Sequence, residues 1–103
     1  VKDGRAVSYY PDGNKQIEHF FINDKLNGLA RQWYDTGSLM ITRDYSQGLL
    51  HGEVRTYYES GKTFEVTKFS YGTPKFKRTY HEDGSLAKEY GFFDKEVINK
   101  ITG

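Results

Sequence analysis

One short phrase is written four times along this chain: two rings, two variable residues and a glycine. It reads Tyr9-Tyr10-Pro11-Asp12-Gly13, Trp33-Tyr34-Asp35-Thr36-Gly37, Tyr57-Tyr58-Glu59-Ser60-Gly61 and Tyr80-His81-Glu82-Asp83-Gly84. The closing glycines step by 24, 24 and 23 residues. A period of that size predicts a repeat architecture, in which each unit packs only on its neighbours. It also lowers the expectation of catalysis, because a repeated surface binds or spaces things.

Between the phrases lie segments rich in β-branched and aromatic residues, such as Leu39–Tyr45 and Thr63–Phe69, and none shows a sustained helical period. Short apolar-aromatic runs punctuated by Gly, Asp and Asn read as consecutive hairpins. The tight turns are placed at Pro11–Asn14, Asp35–Ser38, Glu59–Lys62 and Glu82–Ser85. Each carries its glycine where a short hairpin loop needs positive φ. Looser connections are expected through Asn23–Gly28, Ser46–Gly52 and Tyr71–Lys75. Asp3-Gly4, Asn27-Gly28 and His51-Gly52 each stand nine residues before a phrase glycine, and Pro74-Lys75 replaces them in the last unit, with one residue deleted just upstream. The expected fold is all-β: a single-layer antiparallel meander of consecutive β-hairpins, elongated. Four units are assigned at about 4–27, 28–51, 52–74 and 75–95, followed by a cap, short strand or tail over 96–103.

Stacked in register, the units form columns. Tyr9, Trp33, Tyr57 and Tyr80 make one, and Tyr10, Tyr34, Tyr58 and His81 its neighbour. Phe21, Tyr45, Phe69 and Phe92 make a third. Adjacent strand positions point to opposite sides, so both faces of the sheet carry rings. Two residues before the first column stand Val7, Arg31, Arg55 and Arg78, which places three arginines on the face of Tyr9, Trp33, Tyr57 and Tyr80.

The composition suits such a sheet. With nine Tyr, seven Phe and one Trp in 103 residues, rings supply the apolar area that aliphatic side chains do not. A formal net charge of +1 argues for neither nucleic acid nor an acidic membrane as the partner of the whole chain. The absence of cysteine excludes disulfides and thiolate metal sites. No apolar run approaches a membrane span. Val1-Lys2-Asp3-Gly4 is not a signal peptide and lacks an initiator Met. Val1 starts inside a unit, so an upstream strand is expected to be missing and the first strand, about Arg5 to Tyr10, to be an open edge suited to self-association. The compartment stays open, cytoplasmic or exported with a leader removed.

The run from Gly28 through Trp33-Tyr34-Asp35-Thr36-Gly37, followed by Tyr45-Ser46-Gln47-Gly48 and His51-Gly52, resembles the MORN repeat, in the form common in bacteria. The likeness covers about residues 4–93. It implies a bacterial source and a scaffold that binds another protein, or in some members phospholipid. It also suggests the YwqK-type antitoxin-like group, whose members would neutralise a toxin by direct binding. It implies no catalytic residues and no cofactor.

The residues themselves agree on the absence of chemistry. His19, His51 and His81 occupy different repeat positions without ligand-like spacing, and His51 reads as a loop residue like Asn27 and Asp3. Asp12, Asp35, Glu59, Glu82 and Asp83 read as turn residues. No nucleophile elbow, P-loop or dinucleotide fingerprint occurs. The chain is therefore read as a non-enzyme without metal or cofactor. Two readings of the arginine row stand open. Arg31, Arg55 and Arg78 either meet an acidic protein or lipid phosphates, or they lie between acids such as Glu18, Asp44 and Glu65 and over neighbouring rings, the second being the simpler. Exposed Tyr and Trp beside Arg is the composition of interface hot spots. The candidate partner-binding set is thus Tyr9, Arg31, Trp33, Arg55, Tyr57, Arg78 and Tyr80.

Overall fold

A computed structural model describes residues 3–91. Phe92, the end of the fourth unit and the 96–103 segment lie outside the described residues. The strands are β1 (Gly4–Tyr9), β2 (Lys15–Ile22), β3 (Lys25–Leu26), β4 (Gly28–Trp33), β5 (Leu39–Ser46), β6 (Leu49–Tyr57), β7 (Thr63–Ser70), β8 (Thr73–Tyr80) and β9 (Leu86–Gly91). They form one sheet in the order β1-β2-β4-β5-β6-β7-β8-β9, with the two-residue β3 also on β2. Every pairing is antiparallel. The shortest principal extent is 15 Å, too thin for two sheets packed about 10 Å apart with side chains outside both. The expected single-layer meander is what forms.

The four phrases make one turn, repeated. In the first, the Gly13 amide donates to the Tyr10 carbonyl at 2.9 Å and the Tyr10 amide to the Asn14 carbonyl at 2.8 Å. The same two bonds recur at Tyr34/Gly37/Ser38, Tyr58/Gly61/Lys62 and His81/Gly84/Ser85. This is a three-residue loop closed by a glycine bulge, and φ at Gly13, Gly37, Gly61 and Gly84 runs from 92° to 95°. Asp12 and Asp83 fasten it further, each accepting the amide two residues on, at Asn14 and Ser85.

The connections expected to be loose are tight. Ile22 pairs Lys25, Ser46 pairs Leu49 and Ser70 pairs Thr73, so each loop holds only two residues. Asn23 and Asp24, Gln47 and Gly48, and Tyr71 and Gly72 all have positive φ, the signature of a type I′ turn. Gln and Tyr are unusual at the first of these positions. They hold there because the preceding unit captures both turn amides. Gln47 N–H donates to Asn27 Oδ1 at 3.2 Å and Gly48 N–H to the Leu26 carbonyl at 2.8 Å. Tyr71 N–H donates to His51 Nδ1 at 3.0 Å and Gly72 N–H to the Leu50 carbonyl at 2.6 Å. Asp3 Oδ1 accepts from Asn23 N–H at 2.8 Å in the same way.

The segments expected to be loops are therefore largely strand, each carrying a bulge. Tyr45 pairs Leu50 while Arg43 pairs Val54, so His51, Gly52 and Glu53 oppose Asp44 alone. Asn27–Ala30 likewise oppose only His19 and Phe20. Between β7 and β8, Phe69 pairs Pro74 and Lys68 pairs Phe76, so a single residue, Lys75, is extra. Two surplus residues in the earlier units and one in the last account for the final step of 23 rather than 24.

A sheet with two open faces has almost no core. Among the described residues, Ala30 and Val66 are the buried apolar ones, and Glu18, Thr42 and Thr67 the buried polar ones. Cohesion between units comes instead from the second ring of each phrase. Tyr10 donates its hydroxyl to the Trp33 carbonyl at 2.6 Å, Tyr34 to Tyr57 at 3.0 Å and Tyr58 to Tyr80 at 2.8 Å.

His51 tests the turn-capture reading. Asparagine, which does the same work at position 27, is expected to keep the turn bond because its amide oxygen still accepts, so that His51→Asn costs only the lost ring contact, about 0.5–1 kcal/mol. His51→Ala is expected to cost about 1 kcal/mol more than His51→Asn, since both lose the ring stacked 4.0 Å from Tyr71 but only alanine also loses the acceptor for the Tyr71 amide. Equal melting temperatures for the two variants would refute the role.

Candidate functional site

Pairing across the sheet draws one straight row: Val7, Glu18, Arg31, Thr42, Arg55, Val66, Arg78, Glu89. Directly opposed residues share a face. The arginines therefore alternate with residues that are smaller or more deeply set, Glu18 being 5% exposed, Thr42 8% and Val66 5%. Long stems laid beside such neighbours cover them while the guanidinium stays wet. Tyr9, Trp33, Tyr57 and Tyr80 follow two residues on, opposite Lys15, Leu39, Thr63 and Leu86. All seven candidate residues thus share one face. Tyr9 is 51% exposed and the other three rings are half-buried.

Each arginine of the row has a carboxylate. Arg31 Nη1 lies 3.2 Å from Glu18 Oε1, and Arg5 Nη1 reaches the other oxygen of Glu18 at 3.3 Å. Arg55 meets Glu53 at 2.9 Å and donates to Thr63 Oγ1 at 3.1 Å. Arg78 pairs with Glu89 and lies 4.7 Å over the Phe76 ring. Its hydrogen bond to Glu89 raises the Arg78 guanidinium further above its usual range. The acids differ from those expected, apart from Glu18. Asp44 is taken up by the Gly52 bulge, and Glu65 sits on the opposite face, 3.6 Å from Lys77. The bulges cause this, because they change which residue stands beside which across the strands. At the turn rim, Asp83 accepts from the Ser85 hydroxyl at 2.6 Å and then from its amide, and both hold its carboxyl below the ordinary value.

The opposite face holds Tyr34 and Tyr58, Phe21, Tyr45 and Phe69. It also holds a shallow hollow that uniform alternation did not predict. Gln32 pairs Ile41 while Trp33 pairs Leu39, which leaves Met40 as a surplus bulge residue. Phe64 is surplus in the same way between Thr63 and Glu65. Both line the hollow with Tyr34, Ile41, Thr56 and Arg43. The signal for it lay in the column His19, Arg43, Thr67, Tyr90, where Arg43 is the only arginine. Among the described residues no group of three or more His, Asp or Glu side chains is placed to hold a metal ion.

Neither the curated proteins nor the solved structures searched yield a match to this chain. The family model described as MORN repeat variant matches residues 2–23 and 50–69, stretches that coincide with the β1–β2 and β6–β7 hairpins, so these two hairpins are similar to that repeat.

Proposed function

We propose that this protein is a non-enzymatic repeat scaffold that binds another protein through its arginine face. The observation that carries the reading is the coincidence of four phrase rings and three arginines on one uncovered face. Rings held by flanking strands and arginines held by carboxylates are ordered before a partner arrives, which lowers the entropy lost on binding. The carboxylates also favour a protein over a lipid surface. Glu18, Glu53 and Glu89 cancel much of the charge that anionic headgroups would meet. The antitoxin-like reading is the narrower form in which the partner is a toxin, and it rests on resemblance alone.

The test places a photo-crosslinking residue at Tyr9 or Tyr57 in the source cells and identifies what is captured. Purified partner should then bind Trp33→Ala/Arg55→Ala at least about tenfold more weakly, as two central contacts are lost. A captured protein that binds the double variant with unchanged affinity contradicts the assignment of this face. Flotation with phosphatidylserine vesicles that depends on Arg31 and Arg55 would install the lipid reading instead.

A further inference from the structure

The five arginines of the chain divide sharply. Arg5, Arg31, Arg55 and Arg78 share one face, and each has a carboxylate there. Arg43 stands on the other face, half-buried, with neither an ion pair nor a side-chain hydrogen bond among the described residues. Its cross-strand neighbours are Ala30 and Val54, which offer no side-chain acceptor. The one carboxylate near it in the hollow, Glu65, is held by Lys77. A partly dehydrated guanidinium without an anion is costly, and its fork matches a carboxylate in two parallel hydrogen bonds.

The surroundings of Arg43 supply the rest of a recognition site. Tyr34, Met40 and Phe64 wall the hollow beside it, and Phe64 is 41% exposed. Met40 and Phe64 reach this face only because each is the surplus residue of a hairpin bulge. Such bulges commonly re-aim a side chain at a functional place. Thioether and ring surfaces suit an apolar side chain of variable shape. The hollow also departs from the repeat, since His19 and Thr67 replace Arg43 one unit away on either side. Repetition explains the scaffold; it does not explain this residue.

We propose that this hollow binds a segment of a partner protein in which an apolar side chain stands beside a carboxylate, the apolar group between Tyr34, Met40 and Phe64 and the carboxylate on Arg43. The assignment goes beyond the arginine-face reading, and different residues carry it.

The test pans a phage-displayed random-peptide library against the whole chain and measures binding of a selected synthetic peptide by titration calorimetry. Enriched peptides should share an Asp or Glu next to a large apolar residue. Arg43→Gln should weaken the peptide about tenfold, the loss expected for one charge-assisted contact, and Arg43→Lys by less. Phe64→Ser should weaken it as well, although it also loses the contact with the Tyr58 ring at 5.1 Å, and Arg43→Gln should melt with the parent. Trp33→Ala/Arg55→Ala should bind the peptide normally, so a failed arginine face and a failed hollow give different results. The proposal is overturned if no acid–apolar motif emerges or if Arg43→Gln binds as the parent does. It is also overturned if the face instead self-associates in sedimentation, or binds only phosphatidylserine vesicles, in an Arg43-dependent manner.

Discussion

Gly52→Ala is expected to destabilise the sheet by about 2–4 kcal/mol, a large fraction of the roughly 5–15 kcal/mol that keeps a small domain folded. Two separate effects add. Gly52 has φ of +112°, a conformation that a residue with a Cβ adopts only with strain. The added Cβ would also lie 2.7 Å from Asp44 Oδ2 and 2.9 Å from Asp44 Cβ. The second atom is fixed to backbone, so rotating the carboxylate does not relieve the overlap. Gly61→Ala is the control. Its φ is +94°, but nothing lies within 4 Å of the new Cβ, so only the conformational cost of about 1–2 kcal/mol remains. Urea midpoints measure the difference. Asp44→Gly placed beside Gly52→Ala should recover the overlap but not the strain. Equal losses at positions 52 and 61 would show that the close approach of β5 and β6 at the bulge is not what selects glycine.

The second large effect concerns the ring that joins units. Tyr34→Ala is expected to cost about 2–3 kcal/mol, below the full value for a buried aromatic because the ring is half-buried. Tyr34→Phe keeps the ring and loses only the bond to the Tyr57 carbonyl, for about 1 kcal/mol. In a repeat array, stability is approximately a sum of unit and neighbour terms. Weakening one junction should therefore also reduce cooperativity. Hydrogen exchange followed by mass spectrometry should show β1–β5 and β6–β9 opening at different rates in Tyr34→Ala. If both halves still open together, or Tyr34→Phe melts with the parent, the hydroxyl ladder is incidental to cohesion.

Much of this architecture was legible in the period. Glycines at 13, 37, 61 and 84 and the rings before them predicted the hairpins, the single layer and the two ring-bearing faces. The two-residue turns were not legible, because Gln47-Gly48 and Tyr71-Gly72 lack the usual Asn or Asp. What holds them is an acceptor 20 residues upstream, at Asn27 and His51, and no local rule sees that far. The deletion before Pro74 was visible as arithmetic, but its meaning, a bulge of one residue instead of two, required the register.

The candidate site divides along the same line. That Arg31, Arg55 and Arg78 share a face with Tyr9, Trp33, Tyr57 and Tyr80 follows from strand alternation and the period alone, both of which are local properties. Which acid each arginine meets, and that Met40 and Phe64 turn to join Arg43, were decided only when strands paired with their bulges in place. Each surplus residue shifts the register of everything beyond it, so the neighbours of a side chain across the sheet are a property of the assembled strands. The order of residues determined the repeat, its turns and its faces; the tertiary structure decided which charges were satisfied, and left Arg43 without a partner.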